Sequence, residues 1–170
     1  MTSVFQLKLH PNSTRSAAQS IEATVWQDSD GVHFRYLVEG AVNLVLPDPE
    51  EPGRADELWR TTCFEAFIGK ESGSYTELNF SPSGQWAAYD FDGPRKGMLN
   101  SEAECQVWLE GGENWIAVEA VATTDLDAGA AIGLSAVIEE ADGAKSYWAL
   151  AHSGDTPDFH DPDCFVARLP

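Results

Sequence analysis

Leu58-Trp59-Arg60-Thr61-Thr62-Cys63-Phe64-Glu65-Ala66-Phe67-Ile68, then Ser74-Tyr75-Thr76-Glu77-Leu78-Asn79-Phe80 and Gln85-Trp86-Ala87-Ala88-Tyr89-Asp90-Phe91, is the stretch on which the fold turns. Its aromatic and β-branched residues read as three successive strands. Strand side chains alternate between two faces. Phe64, Ala66 and Ile68 therefore share one side, and Trp59, Cys63, Glu65 and Phe67 the other. In the second segment Thr76, Leu78 and Phe80 make an apolar side, while Tyr75, Glu77 and Asn79 make a polar-aromatic one. Ser81-Pro82-Ser83-Gly84 is a turn by composition. If the three strands are neighbours, Glu65, Glu77 and Asn79 come onto one sheet surface flanked by Trp59 and Tyr75.

Outward from this stretch the pattern repeats. Upstream, Ile21, Ala23 and Val25 alternate with Glu22, Thr24 and Trp26. After the turn Asp28-Ser29-Asp30-Gly31, the run Val32-His33-Phe34-Arg35-Tyr36-Leu37-Val38-Glu39 returns as a hairpin partner. Residues 5–16 read as an irregular lead-in with an edge strand, and residues 43–46 as a short strand. The acidic, Pro-rich run at 47–54 is expected to stay unpaired, because proline has no donor for a ladder. Downstream, residues 105–109 and 115–121 flank the turn Gly111-Gly112-Glu113-Asn114. Residues 131–139, 146–152 and 164–169 complete the set, with Trp148, Leu150 and His152 on one face of their strand. No run shows a 3.6-residue period. About ten short strands separated by turn signals predict an all-β antiparallel sandwich, and no linker divides residues 1–170 into two domains.

Composition narrows the function classes. Twenty-eight acidic against 10 basic residues give a formal charge of −18, which would repel a phosphate backbone, so no nucleic-acid partner is expected. No apolar run approaches the roughly 18 residues of a membrane span, and the N-terminus lacks the form of an export signal. The three cysteines, Cys63, Cys105 and Cys164, form no close pair. They read as reduced thiols of a cytoplasmic protein.

Two readings of the polar-aromatic surface stand side by side. One is the solvated outer face of an antiparallel sheet. The other is a site for a small carbohydrate or related polar ligand, in which flat rings lie against a pyranose face while acids and amides bond its hydroxyls. Other chemistries have weaker footing. Glu65 and Glu77 together have the makings of a glycosidase carboxylate pair, but no hydrolase, nucleotide or metalloprotease motif is present. His152, Asp158 and His160 crowd the acidic tail and are candidate ligands for a divalent metal. Arg95-Lys96 is the one adjacent Arg-Lys pair in an acidic chain, suited to an acidic or hydroxylated ligand. Six tryptophans also leave room for a protein-binding face.

The run from Leu58 to Ile68, with Tyr75-Thr76-Glu77-Leu78-Asn79-Phe80-Ser81-Pro82-Ser83-Gly84-Gln85-Trp86, resembles DOMON-like domains related to family 9 carbohydrate-binding modules. Tyr147-Trp148-Ala149-Leu150-Ala151-His152 and Pro157-Asp158-Phe159-His160 resemble a bacterial stand-alone subgroup of these domains. The resemblance covers most of the chain. It implies a β-sandwich, jelly-roll or immunoglobulin-like, that binds a sugar or haem. In the sugar-binding branch two tryptophans clamp a terminal sugar while acidic, amide and Arg side chains bond its hydroxyls. Carried over by position, Trp59 is the first clamp, Glu65 the acid on the same strand, and Glu77 and Asn79 further contacts. Trp148 is the second clamp, with Arg60, Arg95 and His152 as additional contacts. On this reading Trp148→Ala abolishes binding and leaves stability nearly unchanged. The sequence departs from the pattern where those modules carry an Asp shortly before the acidic strand position and this chain has Thr62-Cys63. Haem would call for a Met and a His, and Met98 is the sole internal methionine.

Overall fold

The computed structural model describes residues 2–13, 16–123, 127 and 129–169. Its two sheets are antiparallel and stack as a sandwich. The smaller runs Thr2–Gln6, Ser20–Asp28, Gly31–Glu39, Trp115–Thr123, Glu104–Gly111 in spatial order. The larger runs Leu99–Asn100, Gln85–Phe91, Tyr75–Phe80, Cys63–Gly69, Ala131–Glu140, Lys145–Ala149, Lys8–Leu9. Three two-residue strands attach to it: Ala167–Arg168 and Leu44–Val45 on Ala131–Glu140, and Gly53–Arg54 beside Gln85–Phe91. No α-helix occurs among the described residues; the only helical pieces there are three single 3-10 turns.

The inner faces are the ones that alternation selected. Ile21, Ala23, Val25, Val32, Phe34, Tyr36 and Val38 on the small sheet meet Phe64, Ala66, Ile68, Leu78 and Phe80 on the large one, all buried. Ring pairs tie the layers, Phe34 to Phe80 at 5.3 Å and Tyr36 to Phe64 at 5.1 Å between centroids. The buried Tyr36 hydroxyl donates to the Glu65 carbonyl at 2.7 Å, which satisfies its polar tip inside the core. Each such fully buried large side chain contributes about 1.5–3 kcal/mol through area removed from water.

Neighbouring strands around the decisive stretch have the expected register. Glu65 stands opposite Asn79, Phe67 opposite Glu77, and Gly69 opposite Tyr75. Ala131–Glu140 joins on the other side, with Ser135 opposite Glu65. The outer face of this sheet is covered rather than bare. Leu58, Cys63, Phe67, Tyr75, Ala87, Tyr89 and Phe91 form a second apolar cluster, packed over by Ala55, Phe159 and Phe165. Gly133 is what lets the C-terminal segment lie so close, since a β-carbon there would stand 2.7 Å from Phe165 Cδ1.

Two local expectations are corrected. Leu58–Arg60 is a 3-10 turn entered through Glu57 in the left-handed region, and the strand begins only at Cys63. In the Pro-rich run, Gly53–Arg54 does pair, in parallel with Gln85–Trp86, while the prolines stay outside the ladder. Arg54 explains this pairing. Its guanidinium sits 4.7 Å over the Trp86 ring and donates to the carbonyls of Ala88 at 2.8 Å and Ser101 at 2.6 Å.

Candidate functional site

The loops that cover the large sheet leave a recess of about 450 Å³ over it. That lies within the range of roughly 300–1,000 Å³ typical of small-molecule sites. Glu65 and Glu77 belong to its floor, and Trp59, Phe91, Tyr147 and Phe159 give it aromatic walls. His160 also lines it, and Arg60, Arg95, Lys145 and Met98 stand around the mouth.

Each floor group is held by its strand. Glu65 is 4 % exposed and Glu77 5 %. The Ser135 hydroxyl donates to Glu65 Oε2 at 2.9 Å, and the Asn79 amide donates to Glu77 Oε1 at 3.0 Å. Burial, followed by the charge of Glu77, pushes the Glu65 carboxyl up to about 8. Burial pushes Glu77 up to about 7, against the lowering effect of the Asn79 amide and the Arg95 charge. Desolvation disfavours the charged form, and two acids in one dry site cannot both ionise freely, so near neutrality the pair holds protons that exposed glutamates would have lost. Protonated, such a carboxyl donates as well as accepts. Asn79 Oδ1 is the one buried side-chain atom without a hydrogen-bond partner among the described residues, and Glu65 faces Asn79 in the register.

A chain of contacts connects floor and mouth. The Arg95 backbone N–H donates to Tyr75 Oη at 3.1 Å, and Tyr75 Oη lies 2.7 Å from His160 Nδ1. The phenol can donate to Nδ1 as well as accept from Arg95, and the His160 tautomer sets the direction of the Tyr75–His160 bond. Nε2 is 3.7 Å from Glu77 Oε2. Burial and the nearby Arg95 charge hold the His160 pKa down to about 4, and burial raises that of Glu77, so both shifts disfavour an ion pair between them. At the mouth Arg95 Nη2 donates to Asp158 Oδ1 at 2.9 Å and Arg60 Nη2 to Glu57 Oε1 at 2.6 Å. Lys145 Nζ donates to the Arg60 carbonyl.

The expected site residues thus fall into two groups. Trp59, 37 % exposed, reaches the recess with Arg60, Glu65, Glu77 and Arg95. Tyr75 and Asn79 lie buried on the same sheet face, behind the lining. Trp148 does not join them. It is 6 % exposed and part of the inter-sheet core, and its indole N–H points to the Ser16 and Ser146 hydroxyls, 3.3 Å from each. The expected pair of indoles clamping one ligand is therefore lost, and Trp148→Ala becomes a core truncation. Trp148 and Leu150 share the face turned inward, and Tyr147, of opposite parity, lines the recess instead. His152 is also elsewhere. It packs edge-on to His10 at 4.7 Å, and its Nε2 is 2.8 Å from the Lys8 carbonyl. His152, Asp158 and His160 consequently do not converge, and no group of three or more His, Cys, Asp or Glu side chains is placed to hold a metal among the described residues. Sequence reasoning missed Tyr147, Phe159 and Lys145. Strand parity separates Tyr147 from Trp148 without saying which of them faces the recess, and nothing local marks Phe159, which arrives on the C-terminal loop.

No protein-family model matches the chain, and no curated protein does. Among solved structures it is similar to the crystal structure of a proposed carbohydrate-binding protein from Bacteroides uniformis. The TM-score is 0.65 at 12% identity, over 96% of this chain and 84% of that one. Agreement of backbone at so low an identity shows a shared fold, the β-sandwich.

Proposed function

We propose that the recess binds a small carbohydrate or sugar-containing metabolite without transforming it. The observation that carries this reading is the composition of the recess, an aromatic wall beside two buried acids within one cavity. A pyranose presents an apolar face to rings such as Trp59, Tyr147 and Phe159, and hydroxyls to groups that both donate and accept. Partly protonated glutamates are such groups. Membership among the DOMON-like relatives of family 9 carbohydrate-binding modules is part of the same proposal, supported by the central motif and by the shared sandwich. The acidity of the chain and its buried, unpaired thiols are consistent with a cytoplasmic setting.

Titration of the protein with a panel of mono- and disaccharides, read by tryptophan fluorescence and calorimetry, tests it. Binding is expected, and Trp59→Ala is expected to weaken it about tenfold or more while the fold persists. A panel without a single binder, or affinity indifferent to Trp59→Ala, would remove the proposal.

One observation favours a second reading. An acid-base glycosidase also uses two carboxyls in one cleft, one protonated and the other ionised. Release of product from aryl-glycosides or oligosaccharides, abolished by Glu65→Gln or Glu77→Gln, would convert the binding protein into an enzyme. Haem is less suited to the recess. The one histidine lining it has its Nδ1 engaged by Tyr75 and its Nε2 turned toward Glu77, and a porphyrin would have to lie over two acids. A Soret band in the purified protein would reverse that judgement.

A further inference from the structure

The distribution of cations around the recess is at odds with the rest of the molecule. In a chain with 10 basic residues and a formal charge of −18, Arg60, Arg95 and Lys145 all line this one cavity. They come from separate elements: the turn Leu58–Arg60, the loop after Gln85–Phe91, and the start of Lys145–Ala149. Among the described residues Glu57 pairs with Arg60 and Asp158 with Arg95, while Lys145 is turned to the Arg60 carbonyl. Both pairs are exposed, with side-chain exposures of 70 % and 55 % for Arg60–Glu57. Ion pairs of this kind contribute little stability and exchange partners readily.

Backbone geometry singles out the same residues. Among the described residues Glu57 and Arg95 are the only non-glycines in the left-handed region, at φ 60° and 57°. Such conformations are unfavourable for side-chain-bearing residues and persist where surrounding contacts impose them. Here one outlier directs Arg95 to the mouth, its N–H fixed on Tyr75 and its guanidinium on Asp158. The other turns the chain into Leu58–Arg60, bringing Trp59 and Arg60 to the recess and Glu57 onto Arg60.

We propose that the ligand is an anionic sugar, a monosaccharide unit bearing one carboxylate or phosphate, held with its anionic group at the mouth among Arg60, Arg95 and Lys145 and its hydroxyls toward Glu65 and Glu77. This rests on the sugar reading above and sharpens it. A planar guanidinium matches carboxylate and phosphate oxygens in bidentate fashion. An incoming anion takes the place of Glu57 or Asp158 beside a guanidinium, and the displaced carboxylate, already exposed, passes to water. The two ends of the recess then recognise the two ends of one molecule. A neutral sugar would satisfy only the floor and walls.

Calorimetric titration at pH 6.5 with glucuronate, galacturonate and glucose 6-phosphate, beside glucose and galactose, tests this. At least one acidic sugar is expected to bind tenfold or more tightly than its neutral parent. Arg95→Gln and Arg60→Gln are each expected to remove about tenfold of that preference, read as the ratio of acidic to neutral affinity within the same variant. Carboxylate or phosphate as the better arm identifies the anion. Equal affinity for neutral and acidic sugars, or equal losses for both in the variants, would overturn the anionic assignment while the sugar reading stands. Absence of binding by every sugar would overturn both.

Discussion

The outer faces of the two sheets show how differently one strand pattern can be used. On the small sheet most outward residues keep contact with water, Ala117 and Val121 excepted. Arg35 Nε donates to Glu119 Oε1 at 2.8 Å, Trp26 stacks on His33 at 4.7 Å, and Trp108 is 48 % exposed. On the large sheet the outward residues are acids, an amide and aromatic rings of the same general types, yet they are buried beneath the loop at 47–57 and the C-terminal segment. Polar residues in water need no partner of their own, whereas polar residues out of water must be bonded, neutralised or met by a ligand. The recess is where this second condition holds, and so it is there that chemistry is expected.

The sharpest way to break the comparison is to truncate one tryptophan in each environment. Trp148→Ala removes a buried indole from between the sheets and is expected to cost about 3–5 kcal/mol, lowering the melting temperature by on the order of 10 °C. Trp108→Ala on the exposed face is expected to cost no more than about 0.5 kcal/mol. Thermal melts of the two variants check the pair, and equal losses would show that the faces are not as different as they look.

Titration separates the faces next. The folded-state pKa values of Glu65 and Glu77 lie above those of the unfolded chain, so the native state holds the extra protons there. Their contribution to stability is then fully present below the unfolded value and is lost as pH rises through the folded ones. His160 acts in the opposite sense. Its lowered pKa means that stability falls as pH drops from about 6.5 toward 4, where the unfolded chain takes up the proton first. The two effects oppose each other below about pH 6.5, and above it only the glutamates act. Melting temperature is therefore expected to fall between pH 6.5 and 8, and Glu65→Gln is expected to flatten that decline. A decline as steep in Glu65→Gln as in the native chain would place its cause outside the floor.

Smaller effects refine the picture. Tyr75→Phe deletes the hydroxyl between Arg95 N–H and His160 Nδ1, an expected loss of about 1–2 kcal/mol measured by urea denaturation. Arg35→Gln on the small sheet removes an ion pair with solvent access and is expected to cost under about 1 kcal/mol, less in high salt.

Much of this was legible beforehand. Period-two alternation and turn composition identify nearly every strand and assign inner and outer faces, as with Phe64, Ala66 and Ile68 against Cys63, Glu65 and Phe67. They also bring Glu65, Glu77 and Asn79 onto one surface, because register between adjacent strands follows from which face must be buried. Alternation does not say which face of Lys145–Ala149 looks inward, since Tyr147 and Trp148 are both large amphipathic rings. Packing against Leu9 and the inter-sheet core decides it.

The chain by itself thus determined an all-β sandwich and the grouping of its acids, because both depend on local periodicity and on pairing between neighbours. Only the tertiary structure decided that this grouping is covered, that Phe159 and His160 close over it, that Trp148 is lost to the core, and that Arg60, Arg95 and Lys145 meet at one mouth. Those outcomes depend on where distant loops come to rest, and that is set by the apolar area and hydrogen bonds they find on the sheet, which no spacing along the chain encodes.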